Sequence, residues 1–339
     1  MTLEVVEPGF LTTVQDAGRP DWTHLGVPVG GACDSWSLAV ANLLAGADAG
    51  TAALEMTIAG PTLAVRAATI VGLAGADLGG IVRETGRRLL PGRSHWLAAG
   101  STIAFPGGDP GAGARAYLAL PGGIDVPAVL GSRATLLSAG FGGIDGRPAR
   151  AGDRLAGAAA VDSALPPPGE RAWPWLDGDP FASAGEPLRV VAGPGPGVEE
   201  IVVRAWRVGP DSDRIGLRLE AAGDAATATA GGAGTVAGSG ELLSHGVVHG
   251  AIQLPPGGTP LVLLADHQTT GGYHVAAVVA RTDHPRLGQL RPGEVVRFVA
   301  VGHDDARAAY AEEARALARG AAALRGEDAW DELWRSAGR

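Results

Sequence analysis

The 339-residue chain contains no lysine, so all 27 of its basic residues are arginine. That absence excludes a Schiff-base lysine, a phosphate-loop lysine and a biotinylated lysine on this chain. Cys33 is the single cysteine, which excludes an internal disulfide and any multi-cysteine metal site and agrees with a reducing compartment. Set between Gly30-Gly31-Ala32 and Asp34, it reads as a small packing residue rather than a nucleophile. No apolar run reaches the roughly 18 residues that span a bilayer, and MTLEVVEPGF lacks the charged start and apolar core of a signal peptide. A cytoplasmic protein without a membrane partner is predicted. The formal net charge of -9 leaves no basic footprint for a phosphate backbone, so nucleic acid is disfavoured. GxGxxG after a strand, GxxxxGK, HExxH, GxSxG and CxxC are all missing, which removes nucleotide P-loops, zincins, hydrolase elbows and zinc ribbons. His245 and His249 lie four apart, but in a strand-like GVVHG, and no metal site is predicted.

Hydrophobic residues make up 46% of the chain and charged residues 19%, and 54 glycines with 24 prolines punctuate it. This composition predicts a globular, mostly β architecture long enough for two domains. Short apolar or alternating segments at 3–6, 62–65, 69–73, 96–105 and 116–120 form one set of predicted strands. A second set falls at 188–192, 201–208, 250–254, 259–264 and 295–301. The expected division is a first β-barrel half at 1–156, a linker at 157–187, a second β-barrel half at 188–302 and a helical tail at 303–339. The linker is rich in Ala, Pro and Gly, and Trp173-Pro174-Trp175 is expected to anchor it to a surface, because two free indoles would expose too much apolar area. VPAVLGSRA (126–134) is echoed by VAAVVART (275–282), and Asp34–Leu38 by Asp213–Leu217, which suggests tandem duplication. A helix is predicted at 35–44. Another runs over 304–324, with Tyr310, Leu317 and Leu324 seven apart, closed by Gly326 and followed by a short amphipathic turn bearing Trp330, Leu333 and Trp334.

Three polar stretches carry the chemistry on offer. In LLADHQTTGGYHV (263–275), Gln268, Thr269 and Thr270 supply neutral donors and acceptors suited to an amide or carboxylate. Gly271 and Gly272 let backbone N–H groups approach an oxyanion, and Tyr273 follows. In TTVQDAGRPDWTHLG (12–26), Gln15 accompanies Asp16 and Arg19, which read either as a salt-bridged turn or as a bidentate carboxylate clamp held from behind by Asp16. In VGPDSDRIGLRLE (208–220), Asp213 and Arg214 serve as a turn cap or as ligand contacts. Glu55, inside the apolar strand ALEMT, needs a partner or a shifted pKa.

PGFLTTVQDAGRPDWTHLGVPVGGACDSWSLAVANLL, ALEMTIAGPTL, GPDSDRIGLRL, GAIQLPPGGTPLVLLADHQTTGGY and LRPGEVVRF, in this order from about residue 3 to 300, closely resemble the KipA-type family. That family is known as the C subunit of 5-oxoprolinase and as a carboxyltransferase subdomain of urea carboxylase and urea amidolyase. The resemblance implies two cyclophilin-like β-barrel subdomains in tandem, with the C-terminal helical extension outside the match. It implies partners, a KipI-type B subunit with a LamB/YcsF-type A subunit; the three together open 5-oxo-L-proline to L-glutamate. ATP is used by the complex, and nothing places its site in this chain; no biotin is carried covalently. Under this reading Gln268, Thr269, Thr270 and the Gly271-Gly272 backbone bind the amide or an anion, and Arg19 and Asp16 orient the ring carboxylate; the catalytic residue is unassigned, with His24, as a proton carrier, and Asp16 as candidates. The alternatives are the carboxyltransferase component of a urea- or amide-carboxylating system, and a non-catalytic regulatory partner of a KipI-type protein. The family usually has Arg and Pro where this chain has His267 and His274, and commonly Met at the place of Cys33. His267 would therefore bring a weaker, pH-dependent charge.

Overall fold

The computed structural model describes residues 2–109, 111–159, 169–174, 185–222, 242–256 and 259–337, with side chains described as far as residue 324. Two five-stranded sheets occupy the N-terminal part. One runs Arg154–Leu155, Leu3–Glu7, Thr62–Val65, Thr102–Ala104, Ile81–Val82; the other runs Leu11–Gln15, Ala53–Thr57, Arg115–Ala119, Thr69–Gly75, Arg93–Leu97. Alternation puts Leu3, Val5, Leu63, Val65 and Ile103 of the first against Val14, Leu54, Met56, Val71, Leu73 and Leu118 of the second, forming one core. The outer face of the second sheet is also buried, because helix α1 (Ser35–Leu44) lies on Ala53, Ala74, Tyr117 and Ala119 through Trp36, Leu38 and Ala41.

The second set of strands closes into a barrel in the order Leu188–Ala192, His274–Val279, Ala251–Leu254, Leu261–Leu263, Gly216–Ala221, Ala205–Val208, Val295–Ala300. Its last strand pairs in parallel with its first. Val190, Leu217, Leu219, Ile252, Leu254, Val262, Val279, Val296 and Phe298 fill the interior. A separate two-stranded ribbon, His245–Gly246 with Thr270–Gly271, stands against the barrel wall. The mostly β class and the C-terminal helix are as expected, and the helix at 35–44 has the expected bounds.

Three sequence expectations are corrected. The run 201–208 splits into helix α2 (Val198–Val203) and the strand Ala205–Val208. A short apolar run does not separate helix from strand by periodicity; here Glu199 and Glu200 favour a first turn, and Trp206 Nε1 donates to Ile201 O at 2.9 Å. The run 96–105 is two strands, Arg93–Leu97 and Thr102–Ala104, in different sheets, turned by Gly100 at φ +86°. The C-terminal helix does not stop at Gly326: after the short α3 (His284–Gly288), α4 runs unbroken from His303 to Ala337. A glycine permits a helix end without compelling one, at a cost of about 1 kcal/mol if the helix continues. Trp330, Leu333 and Trp334 lie on this continuing helix.

Trp173 is buried edge-on against Trp36, with ring centroids 6.1 Å apart, and packs with Ala316 and Leu324 of α4. The expected anchor therefore sits between α1 and α4, while Trp175 falls outside the described residues. Helix α4 also buries Glu313 beside Asp34 and Asp283, and burial raises its pKa to about 7 despite Arg281 and a hydrogen bond from Thr282. A carboxyl with a raised folded pKa gives stability at low pH that is lost as pH climbs from the unfolded value, near 4.5, through 7. Asp34, raised to about 6 by burial, acts in the same direction. Glu313→Gln is therefore expected to raise the Tm at pH 8 and to flatten the decline between pH 5 and 8 (roughly the window set by linkage). Thermal melts across that range check it, and an unchanged slope contradicts it.

Candidate functional site

The two β parts meet at a buried chain of charges. Glu55 projects from the second sheet and is fully enclosed; it accepts from Cys33 N at 2.9 Å and from Tyr117 Oη at 2.7 Å, and Arg115 Nε lies 3.6 Å away. From the barrel side Arg214 reaches Glu55 directly. It also donates from Nε and Nη2 to Asp266 at 2.9 and 3.0 Å, from Nη2 to Gly31 O at 2.6 Å, and from Nη1 to Cys33 Sγ at 3.3 Å. These contacts use all five donors of a guanidinium. Arg214 is thus a structural clasp with nothing left for a ligand, which corrects its assignment as a substrate contact. Asp213 is exposed and caps the turn, its Oδ1 accepting from Ile215 N at 2.7 Å and Gly216 N at 3.1 Å. The arginines outweigh burial and hold the Glu55 carboxyl below its ordinary pKa. Burial pushes the Cys33 thiol up to about 11, which keeps it protonated and inert at neutral pH.

Arg19 is the opposite case. It is 2% exposed, donates from Nη2 to Ala134 O at 2.5 Å and lies 5.0 Å from the centre of the Phe141 ring, yet Nε and Nη1 have no partner. Glycines border both terminal nitrogens: a Cβ on Gly30 would fall 3.2 Å from Nη1, and one on Gly142 would fall 3.2 Å from Nη2. Burial lowers its pKa, while the charges of Asp16 and Asp266 support the cation. Asp16 does not hold it by hydrogen bonds, contrary to the expected clamp. Its oxygens accept instead from Gly18 N, Ser132 Oγ and Arg133 N at 2.8, 2.6 and 2.6 Å, tying the turn after Leu11–Gln15 to the 132–133 loop. Gln15 is buried, with Nε2 bonded to Thr13 Oγ1 at 3.0 Å and Thr135 O at 3.1 Å and with Oε1 unpartnered. His24 lies exposed on the 3₁₀ turn Pro20–Leu25.

Asp266, through its bonds to Arg214 and its charge on Arg19, links this seam to the loop that follows it. Gln268, Thr270 and Tyr273 are exposed and Thr269, Gly271 and Gly272 half-buried, so the loop opens to solvent. His267 is buried; its Nδ1 pairs with Gln268 O at 2.6 Å, and burial lowers its pKa. It therefore contributes a neutral ring at pH 7, not the charge its place in the motif suggested. Sequence reading missed Gln253, fully enclosed with both Nε2 and Oε1 unpartnered. A lone amide among apolar neighbours in AIQL was its only signal.

Residues 25–300 match the model for the carboxyltransferase domain, subdomain A and B. The chain is 33% identical to the C subunit of 5-oxoprolinase from Escherichia coli over 92% of its own length and 96% of that protein. It is 32% identical to urea amidolyase of Lachancea kluyveri over 90% of its length, but spans only 17% of that protein. The crystal structure of the K. lactis urea amidolyase superposes with a TM-score of 0.79 at 28% identity, covering 94% of this chain and 20% of that one. The chain belongs to the family of carboxyltransferase domains, subdomain A and B.

Proposed function

We propose that this chain is the C subunit of an ATP-dependent 5-oxoprolinase that opens 5-oxo-L-proline to L-glutamate as part of a complex with subunits of the KipI type (B) and the LamB/YcsF type (A). The observation that carries this reading is the near end-to-end correspondence with the Escherichia coli C subunit, 96% of whose length is matched. The seam supports it chemically. Opening the ring adds water across the lactam C–N bond, giving a carboxylate and an amine, and ATP hydrolysis drives that addition. Arg19 offers two unpartnered donor nitrogens, Nε and Nη1, to the ring carboxylate. The exposed Gln268 and Thr270, the half-buried Thr269 and the Gly271-Gly272 main chain form the polar rim at which the carbonyl would be polarised. With no lysine, the chain has no attachment point for covalently bound biotin.

The likeness to urea amidolyase favours, as second reading, a carboxyltransferase role toward urea or another small amide. One experiment separates them. The chain is coexpressed with its A and B partners and supplied with ATP and 5-oxo-L-proline, and, in parallel, with biotin carboxylase, carboxybiotin carrier and urea. ATP-dependent glutamate release that disappears when this chain is omitted is the expected result. No release from the full set, with urea carboxylated instead, transfers the assignment to the second reading.

A further inference from the structure

Gln253 sits where a polar side chain has no structural reason to be. Along the barrel strand Ala251–Leu254, Ile252 and Leu254 point into the core, while Ala251 belongs to a small outer cluster with Val247, Leu263 and Val275. Period-two alternation places Gln253 on that same outer face. There it is 0% exposed, and neither Nε2 nor Oε1 of its amide has a hydrogen-bond partner. Burying both ends unpaired costs on the order of 1–3 kcal/mol for each. A leucine would avoid that cost in these surroundings.

One further feature places the amide beneath the loop. In the pairing with His274–Val279 the extra residue, Ala276, lies on that partner strand, so the strand of Gln253 keeps its own alternation. Immediately above lies Gly271 of the ribbon: a Cβ there would stand 2.6 Å from Gln253 Nε2 and 3.4 Å from Val247 Cγ1. The ribbon consists of only two residues on each side, His245–Gly246 and Thr270–Gly271. It separates the buried amide from the exposed Thr270 edge by one bulk-free backbone layer.

We infer that Gln253 reads the cis-amide edge of the substrate, a small molecule whose N–H and C=O lie side by side, when the His245–Gly246/Thr270–Gly271 ribbon lifts off the barrel wall. A five-membered lactam is held cis by its ring, and urea presents the same edge. Either matches a primary carboxamide in a closed pair of hydrogen bonds, Nε2–H to the ligand carbonyl and the ligand N–H to Oε1. No covalent step is assigned to Gln253; it is a binding residue that selects the amide edge. The inference deepens the proposed function and takes its lactam from it, but the recognition chemistry stands for either reading.

The test uses Gln253→Met, which keeps the volume and removes both polar ends. In the full complex, the variant is expected to lose about 100-fold in kcat/KM for 5-oxo-L-proline, the order expected for two net hydrogen bonds. Its Tm should be unchanged or higher. N-methyl-5-oxoproline, which lacks the N–H, should be a far poorer substrate than 5-oxoproline for the wild type and nearly equivalent to it for the variant. A variant that still discriminates between the two, or whose activity falls only in step with its Tm, overturns the inference. If the wild-type complex does not open 5-oxoproline, the proposed function fails. The inference is then decided by calorimetric titration of the full-length chain with 2-pyrrolidinone and urea. Binding abolished by Gln253→Met sustains it; equal binding by both proteins, or none by either, ends it.

Discussion

Arg214→Met is expected to lower the unfolding free energy by about 3–5 kcal/mol, because removing one member of a buried ion network strands the others. The wild-type guanidinium satisfies Glu55, Asp266 and Gly31 O together, within a seam where Glu55 is 1% and Asp266 4% exposed. Without it, Asp266 loses its two guanidinium bonds, and Glu55 keeps only Arg115, Cys33 N and Tyr117 Oη. The Glu55 carboxyl, which Arg214 helps to hold down, would then rise in pKa, so the loss should be largest at pH 8 and shrink toward pH 5 (roughly the range in which such groups take up protons). Chemical denaturation at both pH values measures this. Adding Glu55→Gln and Asp266→Asn to Arg214→Met should recover part of the loss, since no charge is then left buried. A loss below about 1 kcal/mol, the scale of a surface pair, would mean that the clasp does not hold the two β parts together.

That clasp marks the limit of what was legible in the chain. The requirement was plain at Glu55, a carboxylate in an apolar strand, but its solution lies 159 positions away. Pattern reasoning reaches along one element and not across a seam. Helix α1 was legible to the residue, because Asp34 caps it by accepting from Ser37 N at 2.8 Å and the apolar stripe that follows is continuous. The loop at 266–273 was legible as polar and bulk-free, and the fold leaves its tip in solvent. The roles of the arginines were not legible. Arg19 and Arg214 both stand near an aspartate in a glycine-containing turn, yet one is saturated and the other holds two unpaired donors. Only the three-dimensional count of partners separates a clasp from a candidate clamp. Gln253 escaped for a related reason: a single polar residue in a strand reads as a solvent-facing position until the ribbon from residues 245–271 is seen to cover it.

That difference in saturation dictates the effect of changing Arg19. Arg19→Met should raise the KM for 5-oxo-L-proline by roughly three orders of magnitude, the effect of losing two charge-assisted hydrogen bonds at about 1.5–3 kcal/mol each. The fold should tolerate it, because the wild-type side chain makes one hydrogen bond while burying two donors unpaired, so its removal relieves a desolvation cost as well as losing a contact. Arg19→Lys should recover only a small part of the affinity, since an ammonium supplies the charge without the planar fork. A substrate without a carboxylate discriminates further. If Arg19 grips the ring carboxylate, 2-pyrrolidinone should be handled equally poorly by wild type and by Arg19→Met, whereas 5-oxoproline should separate them. Steady-state kinetics of the assembled complex with both lactams, beside thermal melts of both proteins, read out the two halves of the argument. A KM within a few-fold of wild type would leave the orphaned guanidinium as a feature of the seam and place the ring carboxylate elsewhere. A collapse in Tm would show that Arg19, like Arg214, holds the two β parts together.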